Sequence, residues 1–264
     1  MKALKSFLLK RPVISVISLA VIWLVLTMVF AGIISVLFNQ EFGNAITSFS
    51  AHLIVVTGVF ILLWRLDWLK VTGISRIGDF RIWLLTIAAT IYMTTASLYS
   101  FYGKFLFNIS DLNDLTASLE IIMAQIAVCL NEEFLFRGIL LYILIQSWGG
   151  TKKGKIGSVI LMSGIFALFH VMYISTSGIS ALLLALETFI ISVWWASLVL
   201  AGRSIWPAIF AHFIVNTAIS LQGISQSIIQ PDIYAYSKIF LFSLPLGVIA
   251  LLMILKINTE RDTV

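Results

Sequence analysis

Apolar runs about as long as a membrane crossing recur along the whole chain. A transmembrane helix needs roughly 20 mostly apolar residues, and eight stretches of the sequence approach this requirement. They lie at residues 13–37, 45–66, 82–101, 119–147, 156–174, 181–200, 205–220 and 239–257. The pattern predicts an all-α fold, a polytopic membrane helical bundle with about eight transmembrane helices.

The composition argues against an ordinary soluble domain. Hydrophobic residues make up 60% of the chain and charged residues 11%, whereas soluble domains carry about 45–50% and about 25%. The first apolar run is longer than the core of a signal peptide, so we expect it to be retained as a span. No repeat or linker divides the sequence, which predicts a single integral membrane domain over residues 1–264 in the cell membrane.

Basic residues favour one side of the predicted bundle. All 17 lysines and arginines fall on the side of the N-terminus except Lys104, Lys238 and Arg137, the last of which lies inside a span. Because cytoplasmic loops are enriched in Lys and Arg, we predict that both termini are cytoplasmic. The same distribution explains the net charge of +5, so no nucleic-acid partner is expected.

A few polar and ionisable side chains fall inside the spans. Such groups are costly in the hydrocarbon and usually face the bundle interior. At a rise of 1.5 Å per residue, those of the fourth, fifth and seventh spans lie at similar depths, so three helices can bring them together. They are Glu132, Glu133, Arg137, His170, His212 and Asn216.

The spacing within each helix suggests different tasks for neighbouring residues. Glu133 and Arg137 are four residues apart and share a helix face, where they can neutralise one another. Glu132 points about 100° away from Glu133, which leaves it for another partner. His212 and Asn216 also share a face, as suits two donors aimed at one developing negative charge.

Structural interpretations compete with this one. A Glu–Arg pair can be only a staple, and an intramembrane histidine is more often a hydrogen-bond partner between helices. His52 lies near a span end and is expected at the membrane interface, and Glu120 is expected to be solvated at the outer end of its span. Glu187 could line or support a site. Cys129 has no histidine fixed beside it in the sequence and is expected to be a packing residue.

Three short motifs carry a family resemblance. "EEFLFR" at residues 132–137 fits EExxxR, "FALFH" at 166–170 fits FxxxH, and "HFIVN" at 212–216 fits HxxxN, preceded by "GRSIWPAIFAH". In this order, and on separate spans, they resemble the CPBP family. That family comprises the type II CAAX prenyl endopeptidases and their bacteriocin-processing and self-immunity relatives, also called Abi. The resemblance covers residues 120–218 and makes residues 119–220 the motif-bearing core.

The resemblance implies an intramembrane endopeptidase that cleaves membrane-associated peptides of the CAAX, leader, bacteriocin or pheromone type. Glu132 would be the general base that activates a water with the help of His170. His212 and Asn216 would form the oxyanion hole. The partners implied are membrane lipid and a hydrophobic or lipidated peptide substrate.

The resemblance also bears on cofactors. Glu133 and Arg137 would support the site, and no cofactor is favoured. Two histidines and a glutamate could hold zinc with an open position for water, and its ligands would then be Glu132, His170 and His212. The family is often labelled a metalloprotease, but no HExxH is present and the family's site positions water without an obligatory metal. A glutamate protease is therefore favoured over a zinc enzyme.

Two other functions stay open at the level of the sequence. Buried Glu, Arg and His can relay protons in a transporter, although no inverted repeat is visible. A non-catalytic self-immunity or scaffold protein would bind a partner through the same bundle, although every motif position is intact.

Overall fold

Helices make up all the regular structure of the computed structural model, which describes residues 2–41, 44–105, 114–173, 178–225 and 233–257. The all-α prediction is confirmed over these ranges. The α-helices are α1 (Lys2–Lys10), α2 (Pro12–Phe38), α3 (Ala45–Arg65), α4 (Phe80–Tyr102), α5 (Leu115–Glu133), α6 (Leu141–Trp148), α7 (Lys152–His170), α8 (Ser180–Gly202), α9 (Trp206–Ser225) and α10 (Ile233–Lys256). A π-helical segment, Phe134–Leu140, joins α5 to α6.

Five helices in the described ranges are long and apolar enough to cross a membrane: α2, α3, α4, α8 and α10. The other three predicted spans coincide with the run from α5 to α6, with α7 and with α9. These three segments carry the motif residues. The end of the fifth predicted span, residue 174, lies outside the described residues. Several membrane-spanning helices are thus confirmed, and the total of eight stays a prediction.

The predicted spans differ from the helices mainly at their ends, where side-chain caps decide the boundary. The fourth span begins at Leu115, because the Asp114 carboxylate accepts a hydrogen bond from the Ala117 backbone N–H at 3.0 Å. The α7 helix begins one turn before the predicted span, since the Thr151 hydroxyl accepts from the Gly154 N–H at 3.0 Å. Such caps satisfy backbone donors that the first turn leaves unpaired.

The α8 helix lies at the centre of the bundle and α2 at its edge. In the most apolar 18-residue stretch of each helix, 56% of α8 is buried but only 22% of α2. The α8 helix packs against α7, α9 and α10. The α2 helix instead leaves Val21, Ile22, Val25 and Val29 about half exposed. An apolar face of this extent suits lipid as its solvent.

The segment between α3 and α4 fixes the start of α9. Gly73 in this segment has φ +79° and lies against the backbone of Arg203 and Ser204, just before α9. A Cβ at Gly73 would lie 2.8 Å from the Arg203 carbonyl oxygen. Trp206 Nε1–H donates to the Ile74 carbonyl oxygen at 2.8 Å. These contacts hold the first turn of α9, the helix that carries His212.

Candidate active site

A cavity of about 390 Å³ lies inside the bundle, walled chiefly by α3, α4, α5, α7, α8 and α9. Its lining includes the four side chains predicted to be catalytic: Glu132 from α5, His170 from α7, and His212 and Asn216 from α9. The convergence that the sequence predicted is therefore present. One water needs about 10–15 Å³ of such space, so the cavity has room for a water and part of a peptide.

Glu133 lies at the centre of a buried hydrogen-bond network. Its Oε1 accepts from Arg137 Nη1 at 2.9 Å and from His212 Nδ1–H at 2.9 Å. The side chains of Glu133 and Arg137 are both 0% exposed. The predicted i, i+4 pair is present, and it extends to a histidine on another helix, which the sequence did not indicate.

Arg137 is surrounded by groups that suit a buried cation. Besides its bond to the carboxylate, its Nη2 donates to Ser192 Oγ at 2.8 Å. The guanidinium carbon lies 4.5 Å from the centroid of the Phe166 ring and 5.2 Å from that of the Trp195 ring, where the ring quadrupoles attract a cation. Arg137 itself belongs to the π-helical segment, a distortion often found at functional sites.

The His212 ring is held from several sides. One face stacks on Trp195, with ring centroids 4.3 Å apart and an interplanar angle of 23°. Its Nε2 lies 3.7 Å from Glu132 Oε2, while Nδ1 is bound to Glu133. Cys129, one turn before Glu133 on α5, is buried, as expected of a packing residue.

His170 is oriented by its own helix. Its Nδ1–H donates to the Phe166 carbonyl oxygen at 3.1 Å. In the neutral ring this tautomer carries its lone pair on Nε2, which can accept a hydrogen bond. The Phe166 ring packs against His170 with a centroid distance of 5.1 Å, so one phenylalanine contacts both this histidine and the buried arginine.

His52, which the sequence predicts near the membrane interface, has a partner within the bundle. His52 lines the cavity, and its Nδ1 accepts a hydrogen bond from Asn131 Nδ2 at 2.8 Å. The sequence around His52 offered no partner because the partner lies on another helix. Glu187 also lines the cavity. The sequence had left open whether it lines or supports a site.

Three residues of the site lie outside the motifs, and the sequence did not predict their contacts. Asn131 could have been suspected from its position beside the first motif. Ser192 was one serine among several in the apolar spans, and Trp195 resembled a packing residue. Their roles depend on how α5, α8 and α9 pack, which local sequence does not encode.

The three side chains considered as zinc ligands do not fit a zinc site. In the part of the chain that the structure describes, no group of three or more His, Cys, Asp or Glu side chains is arranged to hold a metal ion. Tetrahedral zinc needs ligand atoms about 2.0–2.2 Å from a common centre.

Comparison with family models identifies the same part of the chain. Residues 114–218 match the model described as type II CAAX prenyl endopeptidase Rce1-like, and this segment contains all three motifs. The predicted family resemblance is confirmed. The five long apolar helices, together with this match, are those of a multi-pass membrane protein, and the description of the matched model implies protease activity. The match gives no support to transport or to bacteriocin immunity.

Comparisons with curated proteins and with solved structures found no match to this chain.

Proposed function

We propose that this protein is a glutamate-type intramembrane endopeptidase in which Glu132 activates a water molecule. The observation that carries the proposal is the convergence of a carboxylate, two imidazoles and an amide from three helices on one cavity. Hydrolysis of a peptide bond needs a positioned base and donors that stabilise the oxyanion. The lining of the cavity contains residues of both kinds.

In the first step, Glu132 and His170 hold the water from two sides. His170 Nε2 accepts one hydrogen bond from the water, because the Nδ1–H of this ring is donated to the backbone. Glu132 takes the other proton as the water oxygen bonds to the carbonyl carbon of the substrate. The π electrons of the carbonyl move to its oxygen, which becomes the oxyanion of a tetrahedral intermediate.

His212 and Asn216 stabilise this oxyanion. Because His212 donates Nδ1–H to Glu133, it can donate to the oxyanion only through a second proton on Nε2. The ring then carries a positive charge, which the Glu133 carboxylate at 2.9 Å stabilises by Coulomb attraction, as does the Glu132 carboxylate at 3.7 Å until it takes the proton from water. The Asn216 amide, one turn further along α9, is the second donor.

Collapse of the intermediate breaks the C–N bond. Glu132 gives the proton that it took from water to the leaving nitrogen, which departs as an amine, and the acyl part leaves as a carboxylic acid. The glutamate is thereby returned to its starting state. Glu133 transfers no proton in this scheme; held by Arg137, it keeps His212 in position.

The proposed substrates are membrane-associated peptides, lipidated or leader-like, because the cavity lies among apolar helices that contact lipid. The proposal includes eight crossings with both termini in the cytoplasm, as the lysine and arginine distribution favours. It includes neither a metal nor a nucleic-acid partner. Reporter fusions at the termini and in the connecting segments test the topology.

The membrane peptidome of cells that express the native protein or Glu132→Gln tests the function. Glutamine keeps the size of the side chain but cannot take a proton from water. Glu120→Gln is the matched control, since Glu120 lies on the same helix, α5, and is not among the residues that line the cavity. We expect substrate peptides to accumulate, and their products to disappear, only with Glu132→Gln. Product peptides that persist unchanged in that variant would contradict the proposal.

A further inference from the structure

A chain of hydrogen bonds that begins on α2 holds His52 at the cavity. Trp23 Nε1–H donates to Asn131 Oδ1 at 3.0 Å, and Asn131 Nδ2–H donates to His52 Nδ1 at 2.8 Å. The chain joins α2, α5 and α3, and Asn131 in its middle is 0% exposed. The His52 ring is therefore fixed by two other helices.

The order of donors in this chain fixes the tautomer of His52. An indole N–H can only donate, so the oxygen of the Asn131 amide faces Trp23 and its NH₂ group faces His52. His52 Nδ1 must then accept, and the neutral ring carries its proton on Nε2. A second proton on Nδ1 would set two donors against each other and break the bond to Asn131. His52 is thus a neutral N–H donor.

We infer that His52 binds substrate by donating Nε2–H to a main-chain carbonyl oxygen of the peptide in the cavity. The inference rests on the proposed peptidase function. His52 lines the same cavity as Glu132, and its partner Asn131 directly precedes Glu132 in α5, so a peptide bound in this cavity lies within reach of both helices. A neutral N–H suits a neutral acceptor such as a peptide carbonyl.

Ser48 extends this recognition along α3. It lines the cavity as well and precedes His52 by four residues, a rise of about 6 Å. In an extended peptide, two residues at positions i and i+2 lie about 6.6 Å apart. A peptide lying along α3 can therefore place two carbonyl groups that point to the same side near the Ser48 hydroxyl and the His52 imidazole. Main-chain contacts of this kind bind peptides with little dependence on side chains.

Nitrogen NMR of protein labelled with ¹⁵N-histidine tests the tautomer. The chain has only 3 histidines, and the signals lost in His52→Gln belong to His52. At neutral pH we expect these signals to show a protonated Nε2 and an unprotonated Nδ1. In Trp23→Phe the Asn131 amide loses the donor that orients it, and a mixture of tautomers is expected. A native His52 ring protonated on Nδ1 overturns the inference.

Cleavage kinetics of His52 variants test the contact with substrate. The side-chain nitrogen of glutamine can take the place of Nε2, whereas that of asparagine takes the place of Nδ1. We expect His52→Gln to keep KM within about threefold, and His52→Asn and His52→Ala to raise KM about tenfold with a smaller change in kcat. Thr57→Ala, on the exposed face of the same helix, is the control.

The failure of this inference differs from the failure of the proposed function. If Glu132→Gln abolishes cleavage but His52→Ala and His52→Asn keep the native KM, the substrate contact is wrong and the peptidase assignment stands. If glutamine and asparagine at position 52 raise KM equally, the donor at Nε2 is not the cause, which also overturns the inference. Cleavage that survives Glu132→Gln overturns the proposed function and the contact that rests on it.

Discussion

Replacing Arg137 with methionine tests whether the buried network is a charge-compensated unit. The guanidinium donates to Glu133 at 2.9 Å and to Ser192 at 2.8 Å, and both members of the ion pair are 0% exposed. Methionine keeps the length and removes the charge, so the Glu133 carboxylate is left buried with His212 as its remaining partner. Breaking a buried ion pair costs about 3–5 kcal/mol. We expect the free energy of unfolding of Arg137→Met to fall by about this amount.

A double-mutant cycle separates compensation of charge from loss of packing. Glu133→Gln alone leaves the guanidinium buried opposite a neutral amide, whereas Glu133→Gln with Arg137→Met leaves neither charge. The double variant should therefore lose less stability than the sum of the two single variants. For residues in direct contact the coupling energy is about 0.5–3 kcal/mol, and we expect a value in the upper half of this range.

Unfolding of the purified protein by added SDS, in the same mild detergent for every variant, measures these differences in the free energy of unfolding. Arg65→Met is the matched control, because Arg65 is exposed at the end of α3 and contacts Trp64 at 5.2 Å. The reasoning is refuted if Arg137→Met is as stable as Arg65→Met. It is also refuted if the effects at positions 133 and 137 are additive, since a compensated pair cannot behave as two independent residues.

Three further predictions follow from the site. Asn216→Ala removes one oxyanion donor and should lower kcat about 10²–10³-fold with little change in KM; a loss confined to KM would assign Asn216 to substrate binding instead. Trp195→Leu removes the ring stacked on His212, and such a stack stabilises by about 0.5–1.5 kcal/mol. We therefore expect kcat to fall by up to about tenfold. An unchanged kcat would show that Trp195 does not hold the His212 ring in its working position. Exhaustive chelation should leave the cleavage rate unchanged, and loss of activity that only zinc restores would establish a metalloprotease.

The parts of the site that follow from spacing within one helix were predictable. Glu133 and Arg137 lie one helical turn apart, and a buried charge in lipid requires a partner, so the sequence alone is enough to predict their contact. The common depth of Glu132, His170 and His212 followed from counting residues along apolar runs. Both arguments use only the rise and the periodicity of a helix.

The parts that depend on how helices pack could not be predicted. The bond between Glu133 and His212 joins residues 79 positions apart, and the one between His52 and Asn131 also spans 79. No local pattern specifies which faces of α3, α5 and α9 meet. For this reason the sequence predicts neither the bond between His52 and Asn131 nor the second task of Glu133. The π-helical segment at Arg137 was also missed, because every one of its residues is buried and the sequence there has no polar face to show a period.

The central claim is that Glu132 takes a proton from the attacking water. It is tested most directly by the kcat of purified Glu132→Gln on a substrate identified in the peptidome, beside native protein and Glu120→Gln. Loss of a general base costs about 10²–10⁴-fold, so we predict a fall in this range for Glu132→Gln and a native rate for Glu120→Gln. A Glu132→Gln enzyme that folds and cleaves within about threefold of the native rate, well outside that range, would contradict the claim.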